Sequence, residues 1–230
     1  MSAKDIILKP IPSKIANAFV KKHHYSWKVV NNSQLHFWVF YKWLLGGVMS
    51  YWPSTDKSKL IWLVEWTKWN EFIELNRMAF SDILPKYSES RAIAISIKLL
   101  KKKAPHIKWI ISFADWCQCW DWTIYRASWF DLTQVKENSR LIQLPDWRIE
   151  HQLSFEDWNS KLQKEKNKAW YNSTIKFLDD KYKGRYKIPW FMLRYIKLIQ
   201  PNWQKNYEVL PYSKIKEVWA SMYKWEKIVD

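Results

Sequence analysis

The sequence predicts an α+β fold, a mixed β-sheet flanked by helices. Three observations point there. Residues 72–80 and 107–114 read as strands and residues 88–103 between them as a helix, and strand, helix and strand in that order make a βαβ unit. Residues 34–41 and 44–51 are apolar segments separated only by Lys42-Trp43, the pattern of a β-hairpin. Ahead of both lies an amphipathic segment that adds a helix.

Taken in order, Pro12-Ser13 opens that helix, and Ile15, Ala16, Phe19 and Val20 line one face before Lys21, Lys22 and His23. The hairpin follows, then the strand at 72–80 and a polar loop through Pro85-Lys86. Residues 88–103 carry two periods at once. Ile93, Ile97 and Leu100 fit a helix face, whereas Ile93, Ile95, Ile97 and Leu99 alternate as in a strand. The length, two alanines and the terminal lysine run favour helix. After residue 135 the texture changes. Residues 141–142 and 149–153 flank a turn at 145–147 as a second hairpin, and 157–182 is highly charged and reads as helical, with Lys161, Lys164, Lys166, Lys168 and Lys176. The expected organisation is a core over 1–135 and a basic C-terminal extension over 136–230 packed on it.

The chain of 230 residues carries 38 Lys and Arg against 22 Asp and Glu, a net charge of +16. A surplus of this size suits a polyanion, nucleic acid first. No run reaches the ~18 apolar residues of a membrane span. The first residues lack the apolar core of a secretion signal, so a cytoplasmic protein is expected. Cys117 and Cys119 sit one residue apart, too close for an ordinary disulfide framework and, alone, a weak zinc signal.

The 19 tryptophans and 3 glycines are out of proportion; average usage of about 7% predicts roughly 16 glycines. Trp147 stands in Pro-Asp-Trp-Arg and Trp43 at the hairpin tip, where glycine is the ordinary turn residue. This pattern suggests glycine codons (UGA) read as tryptophan, with positions 43, 52, 62, 116, 120, 122 and 147 as candidates. Trp69, Trp109, Trp158, Trp170 and Trp203 read as genuine tryptophans. The alternative is an aromatic surface for stacking bases.

Four segments hold groups that move protons or bind anions: His23-His24-Tyr25-Ser26; Glu74-Leu75-Asn76-Arg77; Pro85 to Arg91 with Ser88 and Ser90; and Phe113-Ala114-Asp115 followed by Tyr125-Arg126-Ala127. Each has a structural reading as well: a helix cap for the histidines, a buried ion pair for Glu74 and Arg77, capping for the serines and for Asp115. Together they sit at strand ends and helix starts, where βαβ units hold ligands.

In order and spacing these segments resemble the Mom family of phage DNA-modification proteins. The resemblance covers residues 12–132 well and the rest loosely, with Leu210-Pro211-Tyr212 also similar. It implies a GNAT-like fold and conversion of adenine in DNA to a carbamoylmethyl derivative that protects phage DNA from restriction. It also implies functional positions at His24, Tyr25, Arg77, Ser90, Asp115 and Tyr125. His24, Tyr25, Asp115 and Tyr125 take catalytic roles, and Arg77, Ser88, Ser90 and Arg91 bind the cofactor. Acetyl-coenzyme A or a related donor would place its pyrophosphate at 86–91, and iron is a second cofactor linked to this chemistry. Two departures bear on the donor: the usual glycines of the GNAT loop are missing, and Tyr87 stands where the family has Asn. Double-stranded DNA is the expected partner, with the target base extruded from the stack. The rival readings are a non-catalytic nucleic-acid-binding protein on a GNAT-like scaffold and an ordinary GNAT N-acetyltransferase.

Overall fold

A computed structural model describes residues 2–24, 29, 32–54, 56–115, 123–137, 140–158, 160–187 and 191–220. The chain divides into two compact units, residues 1–135 with 193–217 and residues 136–192 with 218–230.

The first unit is built on a seven-stranded sheet. β1 (Ile7–Pro10) pairs antiparallel with β2 (Leu35–Tyr41), and α1 (Ser13–His23) connects them. A two-residue turn joins β2 to β3 (Leu44–Trp52), as the hairpin pattern predicts. The short α2 (Lys57–Leu60) leads to β4 (Phe72–Phe80), antiparallel to β3. From β4 the chain crosses through α3 (Ser88–Lys103) to β5 (Trp109–Asp115), parallel to β4, so the expected βαβ unit is present. α4 (Thr123–Ala127) and β6 (Asp131–Glu137) follow.

α3 settles its double period as a helix. Ala92, Ile93, Ser96 and Leu100 are buried on one face, while Lys101, Lys102 and Lys103 crowd the last turn, where cations favour the exposed carbonyls. α1 lays Ala16 and Val20 against Val48 and Ala79. Beside this, Phe72 stacks on Trp109 at 4.2 Å, in a cluster with Leu60, Val64, Ile111 and Ile196.

The second unit starts with a three-stranded sheet. β7 (Leu141–Gln143) pairs with β8 (Ile149–His151), the hairpin expected around 145–147. α5 (Lys161–Lys168) and α6 (Thr174–Lys181) come next, and β9 (Tyr186–Lys187) completes the sheet beside β7. Phe155, Phe177, Leu162 and Leu178 form its core with Ile142 and Leu144.

Two expectations change. The stretch 157–182 is two helices, each with its own serine cap: Ser160 accepts from the Leu162 amide and Ser173 from the Lys176 amide. Lys166 is buried, its Nζ donating to Thr174 Oγ1 at 3.1 Å, so it does not share the solvent face of Lys164 and Lys168. Nor is 136–230 a single extension. β10 (Phe191–Leu198) enters the main sheet between β5 and β6, giving the order β1-β2-β3-β4-β5-β10-β6, and α7 (Ser213–Ala220) follows it. Residues 136–192 are an insertion between two strands of the large sheet. Among the described residues no helix is long and apolar enough to cross a membrane.

Candidate active site

The sheet opens at its centre. β4 and β5 pair from Phe72↔Trp109 to Leu75↔Ser112, and no pairing between them continues past that point among the described residues. Residues 76–80 stay joined to β3 on the other side. Arg77 and Asp115 therefore both lie just beyond the last paired residues, at the C-terminal ends of two parallel strands.

A bulge decides which way Arg77 faces. Ser50 pairs with Arg77 but Tyr51 pairs with Leu75, so Asn76 is an extra residue on β4. An extra residue breaks the alternation of faces. Leu75 keeps the face of Tyr51, whose hydroxyl meets Ser96 of α3 at 2.6 Å. Arg77 takes the face of Ser50 and Val48, against which α1 packs. Glu74 pairs with Trp52 and shares that face. Glu74 is buried, which pushes its carboxyl pKa up, while hydrogen bonding from Ser54 and the charge of Arg77 oppose the shift. His24, at the end of α1, is also buried; burial first and the nearby Arg77 second lower its pKa to about 4. At neutral pH His24 is an uncharged imidazole beside a guanidinium.

Behind Arg77 lies a buried polar pair that the sequence reading did not single out. His36 and Ser50 are both buried, and His36 Nδ1 lies 2.8 Å from Ser50 Oγ. His36 Nε2 meets the Ser33 carbonyl at 3.2 Å. A carbonyl only accepts, so Nε2 carries the proton and Nδ1 accepts from the Ser50 hydroxyl. Burial lowers the His36 pKa, the Ser33 contact opposing. Asn76 Nδ2 donates to Ser33 Oγ at 2.8 Å, tying the bulge to the same network. One polar residue in each of two apolar strands was the available signal.

The start of α3 supplies a second element. Tyr87 precedes it with φ 69°, in the left-handed region, and no side chain caps the helix. Asn tolerates that conformation far better than Tyr, so the backbone here suits the Asn that the resemblance implies. Ser88 Oγ donates to the Pro85 carbonyl at 2.7 Å and Ser90 Oγ to the Tyr87 carbonyl at 3.1 Å. Both hydroxyls thus fix the loop rather than cap the helix. The first-turn amides of an α-helix have no intrahelical acceptor, and Lys86 and Arg91 stand exposed nearby. This arrangement fits an anion such as a pyrophosphate.

The remaining predicted residues fall elsewhere. Tyr125 lies in α4, which packs near α3 rather than α1. Its ring stacks on Tyr195 at 4.3 Å. Its hydroxyl is 2.8 Å from Ser112 Oγ, which itself donates to the Leu75 carbonyl at 2.8 Å, so the Tyr125 proton points to Ser112. The structure brings His24, Arg77 and Glu74 together and sets Tyr125 in the opposite layer. Tyr25, Cys117 and Cys119 lie outside the described residues. Among the described residues no three His, Cys, Asp or Glu side chains come close enough to hold a metal.

A seven-stranded mixed sheet flanked by helices, with a bulged fourth strand and a gap beside it, makes a GNAT-like fold. The fold is shared with an Arabidopsis thaliana NAA60 structure in complex with a bisubstrate analogue, at a TM-score of 0.50 and 7% identity over 84% of this chain and 97% of that one. An IAA acetyltransferase from Bacillus cereus is also similar, with a TM-score of 0.46 and 8% identity over 84% of this chain and 99% of that one. The Mom protein family model matches residues 5–214, and the chain belongs to that family. It is 33% identical over 137 residues to the methylcarbamoylase Mom of Escherichia phage Mu. That match spans 60% of this chain and 57% of the phage Mu protein.

Proposed function

We propose that the protein is a transferase that modifies the exocyclic amine of adenine in double-stranded DNA with a carbamoylmethyl-type group, protecting phage DNA from restriction. One observation carries the reading: the bulge in β4 turns Arg77 toward His24 at the opening between β4 and β5. Membership of the Mom family and the name of the phage Mu relative support it.

The chemistry follows from the groups at the opening. Backbone amides at the start of α3, with Lys86 and Arg91, would hold the pyrophosphate of a coenzyme A-type donor; a thioester carbon alone would give an N-acyl adenine, so the carbamoylmethyl-type product calls for a donor that presents its methylene carbon bonded to a leaving group. Adenine's amine is hidden in the duplex and a poor nucleophile, so the base is extruded first. As the new N–C bond forms, the bond from that carbon to the donor breaks, the leaving group departs with the electron pair, and the amine loses a proton. A histidine with a pKa near 4 is a weak acceptor, which leaves that proton to Asp115 as general base. Neutral His24 orients the amine, and Arg77 balances charge that develops on the donor. Tyr125 acts through Ser112, which holds the strand ends at the last β4–β5 pair.

Mass spectrometry of nucleosides from DNA co-expressed with the protein tests the reading. A modified deoxyadenosine is expected. Unmodified DNA beside an acetylated small amine or protein would replace it with an ordinary N-acetyltransferase.

A further inference from the structure

Five tryptophans occupy backbone positions shaped for glycine. Trp43, Trp66, Trp129, Trp147 and Trp170 have φ of 68°, 58°, 57°, 67° and 61°. They are five of the eight non-glycine residues with positive φ among the described residues. For a bulky side chain this region is a genuine outlier. Gly184, with φ 86°, shows which residue normally sits there.

Four of the five fall in turns that specify glycine by their hydrogen bonds. In two helices the tryptophan is the residue after the C-cap. The Phe130 amide bonds to the Tyr125 carbonyl at 3.0 Å and the Trp129 amide to the Arg126 carbonyl at 3.1 Å. After α5, the Tyr171 amide bonds to the Lys166 carbonyl at 3.2 Å and the Trp170 amide to the Asn167 carbonyl at 3.0 Å. This paired 6→1 and 5→2 pattern is the Schellman motif, whose left-handed residue is usually glycine. Lys42-Trp43 forms a two-residue hairpin with both φ positive, the turn in which Asn-Gly dominates. In Leu144-Pro145-Asp146-Trp147, the Trp147 amide bonds to the Leu144 carbonyl at 3.0 Å and the Leu144 amide to the Arg148 carbonyl at 2.8 Å. That is a three-residue hairpin loop whose left-handed position takes glycine.

The five indoles are also idle. They are 76% to 93% exposed, and the cation contact of Trp43 with Lys9, at 6.0 Å, is a loose one. Trp109 is their opposite: fully buried, stacked on Phe72, its Nε1 donating to Thr67 Oγ1 at 3.1 Å.

We propose that the natural protein carries glycine at positions 43, 66, 129, 147 and 170. Each codon is UGA, read as glycine by the translation system that makes the protein, whereas Trp109 is encoded by UGG. The structure thereby corrects the sequence reading: Trp170 moves to the glycine set, and Trp66 and Trp129 join it. Trp52, paired within β3, and Trp62, in a 3-10 turn, lack the positive φ and leave it. Positions 116, 120 and 122 lie outside the described residues. The consequence for function is that these exposed indoles are no base-stacking platform. The cleft between Lys9, Phe40 and Lys42 loses its Trp43 wall as well and is no ligand site.

Two measurements on the gene and the full chain decide it. Sequencing is expected to show UGA at all five codons and UGG at 109. The five-fold variant W43G/W66G/W129G/W147G/W170G is expected to raise the thermal midpoint above that of the tryptophan form by more than about 4 °C, while W109G lowers it. UGG at the five codons, or a midpoint no higher than that of the tryptophan form, overturns the proposal.

Discussion

Arg77 owes its direction to Asn76, the one extra residue between Leu75 and the pair Ser50↔Arg77. Substitutions at the opening should therefore act on chemistry more than on folding. Arg77→Lys keeps the charge but loses the planar fork. Losing one charge-assisted contact, about 1.5–3 kcal/mol, is expected to lower modification roughly 10- to 100-fold. Asp115→Asn cannot accept a proton and is expected to cost about 10²–10⁴-fold with DNA binding retained. Nucleoside analysis beside a binding assay checks both; full modification by both variants removes this site from consideration. His24 makes a pH prediction. Its folded pKa, about 4, lies below the unfolded value of 6.5, so the unfolded chain binds the proton first as pH falls. His24 therefore contributes stability above pH 6.5, which drains away between about 6.5 and 4 and is gone below that. Urea unfolding at pH 7 and pH 5 should show a loss that His24→Gln reduces.

The loop from β4 to α3 is set by contacts that leave no room at Gly46. A Cβ there would lie 2.5 Å from Leu84 Cδ2 and 2.6 Å from its Cγ, and Ser81 bonds to the Gly46 carbonyl through both its amide and its hydroxyl. Gly46→Ala is expected to cost about 1–3 kcal/mol by overpacking and to displace the start of α3. Denaturant midpoints measure the first effect; modification at low and saturating donor measures the second, with the larger loss expected at low donor. The elements legible in the sequence were those with a strong local signal: α1, the β2–β3 hairpin, β4, α3, β5 and the β7–β8 hairpin. β1 was missed because only Leu8 of its four residues is buried. β6 and β10 were missed because what makes them strands is pairing with distant chain, β10 entering between β5 and β6. The break between α5 and α6 was hidden because tryptophan stands at 170, where a glycine would have announced the helix end.

The whole molecule divides its charge unevenly. Residues 1–135 with 193–217 carry twenty-four Lys and Arg against twelve Asp and Glu, whereas 136–192 with 218–230 carry fourteen against ten. Composition showed the surplus but not its placement, just as it showed His24 and Arg77 but not the bulge that turns one toward the other. In the sequence 157–182 is the stretch that stands out for its lysines. In the structure Lys166 is buried there and Lys181 is paired with Glu165. The lysines at the end of α3 have no such losses: Lys101, Lys102 and Lys103 are consecutive and exposed on the more basic unit. Duplex binding is expected to tolerate sequence and to weaken steeply with salt, the slope of log K against log salt being about −0.9 for each phosphate neutralised. Lys101→Glu/Lys102→Glu/Lys103→Glu is expected to flatten that slope by up to about 3, against about 2 or less for Lys164→Glu/Lys168→Glu. Fluorescence anisotropy on one duplex between 50 and about 200 mM salt measures it. A salt-independent affinity would mean that phosphates are not what the positive charge meets. Equal slopes for the wild type and the α3 variant would move the contact away from α3 while leaving the electrostatic binding itself in place.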